Sequence, residues 1–281
     1  VFGIIGDPVS HSLSPLFQGY FARKAEIDAL YAPFHVARGK LREAVSGLLA
    51  LGVEGFNITV PFKEDILELV SADAVGRQIG AVNTAKRHAN AWLATNTDWQ
   101  GMKAVMKGLE SSVTTALVFG AGGTARAVLH ALAEAGVQRV HVCNRGRPRL
   151  ESLLRHAEVN YPHLHLTQVH WIEGDVRQAA AESQLVINTT SIGLSRDASA
   201  FPFRLAGQGI AVDAVYRPDG RTPFVEAAHR AGLKAMDGLP LLLAQGAASF
   251  HYWHGVSPDY LSALRWLEDR LGREHLSIPG W

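Results

Sequence analysis

Lys63 and Asp98 are the residues in this sequence best suited to moving a proton. Lys63 closes the stretch "FNITVPFK", Phe56 to Lys63, and Asp98 closes "TNTD". Each comes after a strand-like segment, so both can reach one sheet edge. A lysine and a carboxylate held there suit alcohol–ketone chemistry. The amine relays a proton at the hydroxyl, and the carboxylate orients the amine and binds neighbouring hydroxyls. Asn83, in "GAVNT", follows another strand-like stretch and can reach the same edge. The pattern of "PFKEDILELV" predicts a helix with Lys63 in its first turn. The macrodipole disfavours a cation there, an influence that Glu64 and Asp65 oppose. Taken alone, a lysine in such a place is a solvated residue. Asp98 also fits an N-cap for a helix beginning near Trp99, a role it can combine with chemistry.

Two hydroxyls stand near the start of the chain. Ser12 and Ser14 in "SHSLSPLF" precede Pro15, and Pro after a Ser cap is a common helix start. Ser14 is then a cap. Alternatively, both hydroxyls sit beside open helix N–H groups and form a neutral cradle for a small carboxylate. Spacing leaves both readings open.

The second chemical motif is "GAGGTA", comprising Gly120, Ala121, Gly122, Gly123, Thr124 and Ala125. It follows an apolar strand and opens a long amphipathic helix. Gly120 permits the tight turn, and Gly122 lets the backbone approach a pyrophosphate. The helix N-terminus supplies donors, while Ala125, in the third glycine position, stays small enough for close packing. The next strand ends in "CNRGRPR". An acidic residue there would hold a ribose 2′-hydroxyl; Asn144, Arg145, Arg147 and Arg149 suit a 2′-phosphate instead. This favours NADP over NAD as the cofactor.

The elements that must carry these residues alternate. "FGIIG", "ALYAPFHV" and "GFNITV" read as strands, each followed by a helical pattern. The rhythm restarts near Thr115 with "TALVFG", then "RVHVCNR", "LHLTQVHW", "QLVINTT" and "GIAVDAVY". The fold class is α/β: an N-terminal domain with a mainly parallel sheet, then a doubly wound, Rossmann-like domain. After Asp237, two helical stretches have no strand to join and are expected to return to the first domain. The expected domains are 1–104 with 237–281, and 105–236, with a ligand cleft between them.

Composition excludes several classes. The chain has 281 residues, 47% hydrophobic and 19% charged, enough to fill a core. A net charge of +1 without a basic stripe argues against nucleic acid or an anionic membrane as partner. The longest apolar runs, such as Leu239 to Ala244, are too short to span a bilayer, and no signal-peptide pattern opens the sequence. One cysteine, Cys143, in an apolar run, excludes an internal disulfide and suits a cytoplasmic setting. The 13 histidines form no metal-ligand pattern and read as surface or sheet-rim residues, so no metal is expected.

In order along nearly the whole chain, "GDPVSHSLSP", "GFNITVPFKE", "GAVNT", "NTDWQG", "GAGGTAR", "NR", "INTTSIG", "DAVYRP", "TPF" and "DGLPLLLAQGAASF" resemble the shikimate dehydrogenase family. The resemblance implies NADP-dependent interconversion of shikimate and 3-dehydroshikimate, in chorismate and aromatic amino acid biosynthesis. It implies a substrate domain completed by C-terminal helices and an NADP domain between, in a monomer or homodimer. Lys63 and Asp98 become the catalytic pair. Ser12 and Ser14 hold the substrate carboxylate, with Thr59 and Tyr216 nearby; Asn83 and Gln245 bind ring hydroxyls. Thr190, Gly238 and Leu241 line the nicotinamide, and Asn144, Arg145 and Arg149 meet the 2′-phosphate.

The chain departs from the family's pattern at four places. Gly146 stands for the usual threonine after "NR", Leu241 for a methionine, Trp99 where glycine is frequent, and Gly246 for the alanine of "QA". Two alternatives follow: a broader relative that also oxidises quinate or uses NAD, and a non-catalytic sensor of NADP or shikimate-like acids. Retention of Lys63 and Asp98 argues against the sensor.

Overall fold

A computed structural model describes residues 1–109, 112–195 and 200–276. The chain divides into two compact units, Val1–Met102 with Leu242–Leu267, and Lys103–Leu241 with Glu268–Trp281.

Unit 1 begins with β1 (Phe2–Gly6), α1 (Ser14–Lys24), β2 (Tyr31–His35), α2 (Leu41–Ala50) and β3 (Gly55–Ile58). A single 3-10 turn at Asp65–Glu68 leads to β4 (Ser71–Ala72), α3 (Ala74–Ile79), β5 (Thr84–His88) and β6 (Ala91–Thr95). The strand order is β2-β1-β3-β5-β6-β4. β1 lies parallel to both β2 and β3, and β4 is parallel to β6. β5 runs antiparallel to β3 and β6, making a hairpin that the strand–helix rhythm did not foretell. Pro33, which cannot donate to a ladder, sits in the edge strand β2, where that loss is tolerated. Ile5, Phe56, Ile58 and Trp92 are buried, and the Phe56 and Trp92 rings meet edge to face, 4.7 Å apart.

The expected helix over "PFKEDILELV" is not formed. Only Asp65–Glu68 coils, as a 3-10 turn, because the chain must turn back to pair Ser71–Ala72 with β6. Phe62 and Ile66, spaced as on a helix, are nevertheless both buried. The macrodipole argument for Lys63 therefore has no helix to act through.

α4 (Asp98–Lys107) carries the chain into unit 2, which holds β7 (Thr115–Phe119), α5 (Gly123–Glu134), β8 (Arg139–Cys143), α6 (Arg147–Asn160) and β9 (His165–Val169). Then come α7 (Glu173–Glu182), β10 (Leu185–Asn188), β11 (Ile210–Asp213), α8 (Pro223–Arg230) and β12 (Lys234–Met236). The order β12-β11-β10-β7-β8-β9, with every pairing parallel, is the doubly wound arrangement. β7 is buried along its length, as a central strand with helices on both faces should be. Phe119 is the hub of an aromatic cluster with Phe201, Phe203 and Phe224. Cys143 is fully buried, which pushes its thiol pKa up to about 12.

α9 (Leu239–His254) and α10 (Tyr260–Leu271) end the chain, and Leu242–Leu267 belongs to unit 1. Within that unit, the Trp253 indole donates to the Ala85 carbonyl at 2.9 Å, and Gln18 Nε2 donates to the Gly246 carbonyl at 3.0 Å.

Candidate active site

The register of the unit 1 sheet gathers its chemical residues at one edge. Ser12 and Ser14 lie beyond the end of β1, Thr59 and Lys63 beyond β3, and Asp98 beyond β6. Asn83 precedes the antiparallel β5, whose start lies beside the end of β3 in the pairing Asn57–Thr84. Lys63 is anchored by its carbonyl, which accepts from Val82 N–H at 2.9 Å.

Three of these side chains, Lys63, Asp98 and Asn83, meet directly, and Gln245 of α9 joins them. Lys63 Nζ donates to Asp98 Oδ2 at 2.6 Å, with side chains only 13% and 12% exposed. Asn83 Nδ2 donates to Asp98 Oδ1 at 2.8 Å and to Gln245 Oε1 at 3.2 Å. Gln245 Nε2 donates to the Leu242 carbonyl at 2.7 Å. Asp98 is the first residue of α4, and its N–H donates to Asn96 Oδ1 at 2.9 Å. This group can hold a charged amine beside a substrate oxygen without wholly burying it.

Ser12 and Ser14 resolve differently from the cap reading. α1 begins at Ser14 with Leu13 in the cap position, and Ser12 Oγ accepts the Ser14 N–H at 3.2 Å. The capping contact thus comes from Ser12, while Ser14 is buried at the first helical position. Thr59 is half-buried and donates its N–H to the Ile5 carbonyl, which ties the end of β3 to β1.

Unit 2 places its set at the end of the sheet where strand order reverses between β7 and β10, the crevice in which doubly wound folds bind nucleotides. Gly120 has φ +109°, a conformation that side chains rarely adopt, and a Cβ there would strike Thr189. Its N–H donates to the Cys143 carbonyl, which brings the glycine turn beside Asn144. Ala121 and Ala125 are buried; Gly122, Gly123 and Thr124 are half-buried. α5 has no side-chain cap and no acidic residue in its first turn, so its amino end suits an anion.

The basic loop is equally fitted to one. Arg145, Arg147 and Arg149 are exposed around the start of α6, whose first turn holds no acidic residue and where the helix dipole disfavours cations. Asn144 Nδ2 donates to the Gly146 carbonyl at 2.8 Å, and Arg147 pairs with Glu151 at 2.7 Å. These residues fit a phosphorylated dinucleotide.

Thr190 is held by Asn188, whose Oδ1 accepts from its hydroxyl at 2.7 Å. Asn188 Nδ2 donates to the buried Asp213 at 2.8 Å, and Thr222 donates to the same carboxylate at 2.6 Å. Burial pushes the Asp213 pKa up to about 7, against the three hydrogen bonds it accepts. Gly238 N–H donates to the Val215 carbonyl at 2.9 Å. Leu241 is buried at the start of α9, and the half-buried Tyr216 follows β11.

Sequence reasoning missed Asn57, Thr84, Thr97 and Ser249, a buried polar cluster beneath the Lys63–Asp98–Asn83 group. Two signals were available: Thr97 adjoins Asp98, and Ser249 stands four residues after Gln245, one turn along the same helix face. Among the described residues, no group of three or more His, Cys, Asp or Glu is placed to hold a metal ion, and no helix is long and apolar enough to cross a membrane.

Comparison with known proteins follows this division of the chain. The family described as the shikimate dehydrogenase substrate binding domain matches residues 4–85, and that described as shikimate / quinate 5-dehydrogenase matches residues 103–193. Shikimate dehydrogenase (NADP(+)) of Thermosynechococcus vestitus is 36% identical over 283 residues, 98% of this chain and 96% of the relative. The crystal structure of shikimate dehydrogenase from Aquifex aeolicus superposes with a TM-score of 0.80 at 34% identity, covering 97% of each chain. Shikimate 5-dehydrogenase from Thermus thermophilus, solved with NADP(H) and shikimate, gives a TM-score of 0.79 at 32% identity, covering 96% of this chain and 98% of that one.

Proposed function

The chain belongs to the shikimate dehydrogenase family, and from that premise we propose that it interconverts shikimate and 3-dehydroshikimate with NADP, using Lys63 and Asp98 as its acid–base pair. The observation that carries this reading is the 2.6 Å contact between Lys63 and Asp98, with Asn83 on the second carboxylate oxygen. NADP, when bound, supplies the hydride acceptor for the carbinol carbon. Lys63, as the neutral amine, takes the proton from the substrate hydroxyl in oxidation and, as the ammonium so formed, returns it to the carbonyl oxygen in reduction. Asp98 holds the amine in place, and Asn83 fixes Asp98. Gln245 joins Asn83 at the ring hydroxyls; Ser12, Ser14 and Thr59 take the carboxylate. Tyr216 is assigned to the substrate by resemblance.

For the cofactor, the turn from Gly120 to Ala125 and the open amino end of α5 take the pyrophosphate. Asn144, Arg145 and Arg149 take the 2′-phosphate, and Thr190, Gly238 and Leu241 take the nicotinamide. The reaction places the protein in chorismate and aromatic amino acid biosynthesis, and the single, buried cysteine fits the cytoplasm.

A second reading, a broader enzyme that also oxidises quinate, draws on the family description covering residues 103–193, which names both substrates. The test is initial-rate cofactor reduction with shikimate and quinate, each against NADP and NAD. Activity confined to shikimate with NADP supports the first reading. Comparable rates with quinate or NAD support the second. A folded protein that binds NADP but turns over neither acid refutes both.

A further inference from the structure

We propose that Ser249 of α9 is a positioning residue for the reaction, acting through Thr97 and Thr84 to hold Asn83 against Asp98. This rests on the reading of Lys63 and Asp98 given above. None of Asn57, Thr84, Thr97 and Ser249 is more than 5% exposed, so water cannot satisfy a lost partner.

Counting donors and acceptors fixes the cluster. Tyr31 donates its hydroxyl to Asn57 Oδ1 at 2.7 Å, so Asn57 Nδ2 faces inward, its two protons within reach of Ser249 Oγ at 2.9 Å and of the Asn83 carbonyl and Thr84 Oγ1, each at 3.0 Å. The Gln245 carbonyl can only accept, so it takes the one Ser249 proton, at 3.1 Å. With that proton committed, Ser249 Oγ has two acceptor positions for the three donors beside it, Asn57 Nδ2, Thr84 at 2.8 Å and Thr97 at 3.0 Å.

The other acceptor is Asn83 Oδ1. It already takes the Thr97 N–H at 2.7 Å, which settles the orientation of the Asn83 amide. Both threonine hydroxyls lie 3.1 Å from it. Thr97 Oγ1 accepts from Asn83 Nδ2 at 3.0 Å, and so gives its own proton to Ser249. Thr84 gives its proton to Asn83 Oδ1. The two Asn83 Nδ2 protons have three acceptors in reach, Asp98 Oδ1 at 2.8 Å, Thr97 Oγ1 at 3.0 Å and Gln245 Oε1 at 3.2 Å, and the contact with Asp98 is the shortest.

Without the Ser249 hydroxyl, the Thr97 proton has two destinations. Asn83 Oδ1 is already filled, and Gln245 Oε1 lies 3.5 Å away. Either choice disturbs the contact between Asn83 and Gln245 and loosens Asp98 behind Lys63. The helix that carries Gln245 thus also sets the orientation of the acid–base pair.

The experiment compares Ser249→Ala, Thr97→Val and Thr97→Ser with the parent, reading kcat and KM for shikimate, the pH profile of kcat, and NADP affinity by titration. Ser249→Ala removes one oxygen from a packed helix face and is expected to fold. The expected result is a fall in kcat of about tenfold or more for Ser249→Ala and Thr97→Val, with a displaced pH profile and NADP affinity unchanged. Thr97→Ser, which keeps the hydroxyl, stays within about threefold of the parent. If Ser249→Ala matches an active parent in kcat and pH profile, the proposal is overturned. If Thr97→Ser loses as much as Thr97→Val, packing rather than the hydroxyl is at work and the proposal is likewise overturned. A parent inactive on shikimate overturns the reading of the site and this proposal with it.

Discussion

Lys63 and Asn83 divide the two oxygens of Asp98 between them, a cation on one and an amide on the other. On the proposed reading, removing Lys63 takes away the proton carrier and leaves that division half empty. Lys63→Ala should lower kcat by about 10²- to 10⁴-fold while NADP affinity stays within about twofold, by steady-state rates and cofactor titration. Parallel losses in both would indicate a folding defect. Arg145→Ala should raise the Michaelis constant for NADP about tenfold and leave NAD use unchanged, because only NADP carries the 2′-phosphate. A similar rise for both cofactors would remove that phosphate from the assignment. Lys63, Asp98 and Asn83 could be picked out in the sequence because amines, carboxylates and amides beside strand ends are chemically conspicuous, whereas Gln245, within a helix, was named only by the family resemblance. Thr84, Thr97 and Ser249 were not legible. Serine and threonine occur everywhere, and only the folded chain shows which hydroxyls lack water and must satisfy one another.

At the level of elements, most strands were readable from apolar runs, and the doubly wound character of unit 2 followed from strands and helices that alternate except between β10 and β11. The failures were local competitions. In "PFKEDILELV" the spacing of Phe62 and Ile66 imitates a helix, but pairing of Ser71–Ala72 with β6 leaves room only for a 3-10 turn. The β5–β6 hairpin turns at Ala89, which adopts φ +53° without a glycine to announce it. One element-level feature is open to test. Asp213, at the end of β11, holds the loop after β10 through Asn188 and the start of α8 through Thr222. Its folded pKa, about 7, lies above the ordinary 3.8. The folded state therefore holds this proton more tightly. The associated stability is complete below the unfolded pKa and is lost as pH rises through the folded one. Asp213→Asn has no charge to bury. The melting temperature of the parent minus that of the variant should fall by several degrees between about pH 5 and about pH 8, by calorimetry. A difference independent of pH would show that Asp213 ionises like an ordinary carboxyl.

For the whole molecule, neither unit is one continuous length of chain. Unit 1 needs Leu242–Leu267, and unit 2 needs the segment from Glu268 onward. In unit 2 the return is fastened by Arg273, which grips Asp237 through two nitrogens at 3.1 and 3.0 Å. The side chains are 7% and 0% exposed. Burial raises the Asp237 pKa and Arg273 opposes that rise, so the arginine offsets a charge that water cannot reach. Arg273→Ala should destabilise the protein by about 3–5 kcal/mol in chemical denaturation. Lys40→Ala, which removes an exposed pair with Glu43, should have no measurable effect. A loss for Arg273→Ala as small as that for Lys40→Ala would mean that Asp237 finds another partner. This fastening was not legible in the sequence. Arg273 and Asp237 stand 36 residues apart, and nothing in their local patterns links them.

The glycine at 246 gives that same chain return a history. A methyl group there would overlap the Phe17 ring of α1. In this chain, therefore, the alanine that the family's pattern carries after Gln245 is barred by a phenylalanine 229 positions earlier. Alanine at 246 needs the Phe17 ring to shift or to be exchanged for something smaller. Until then, a buried helix keeps a residue that costs it about 1 kcal/mol relative to alanine. Phe17 and Gly246 thus act as one steric unit, to be substituted together rather than singly.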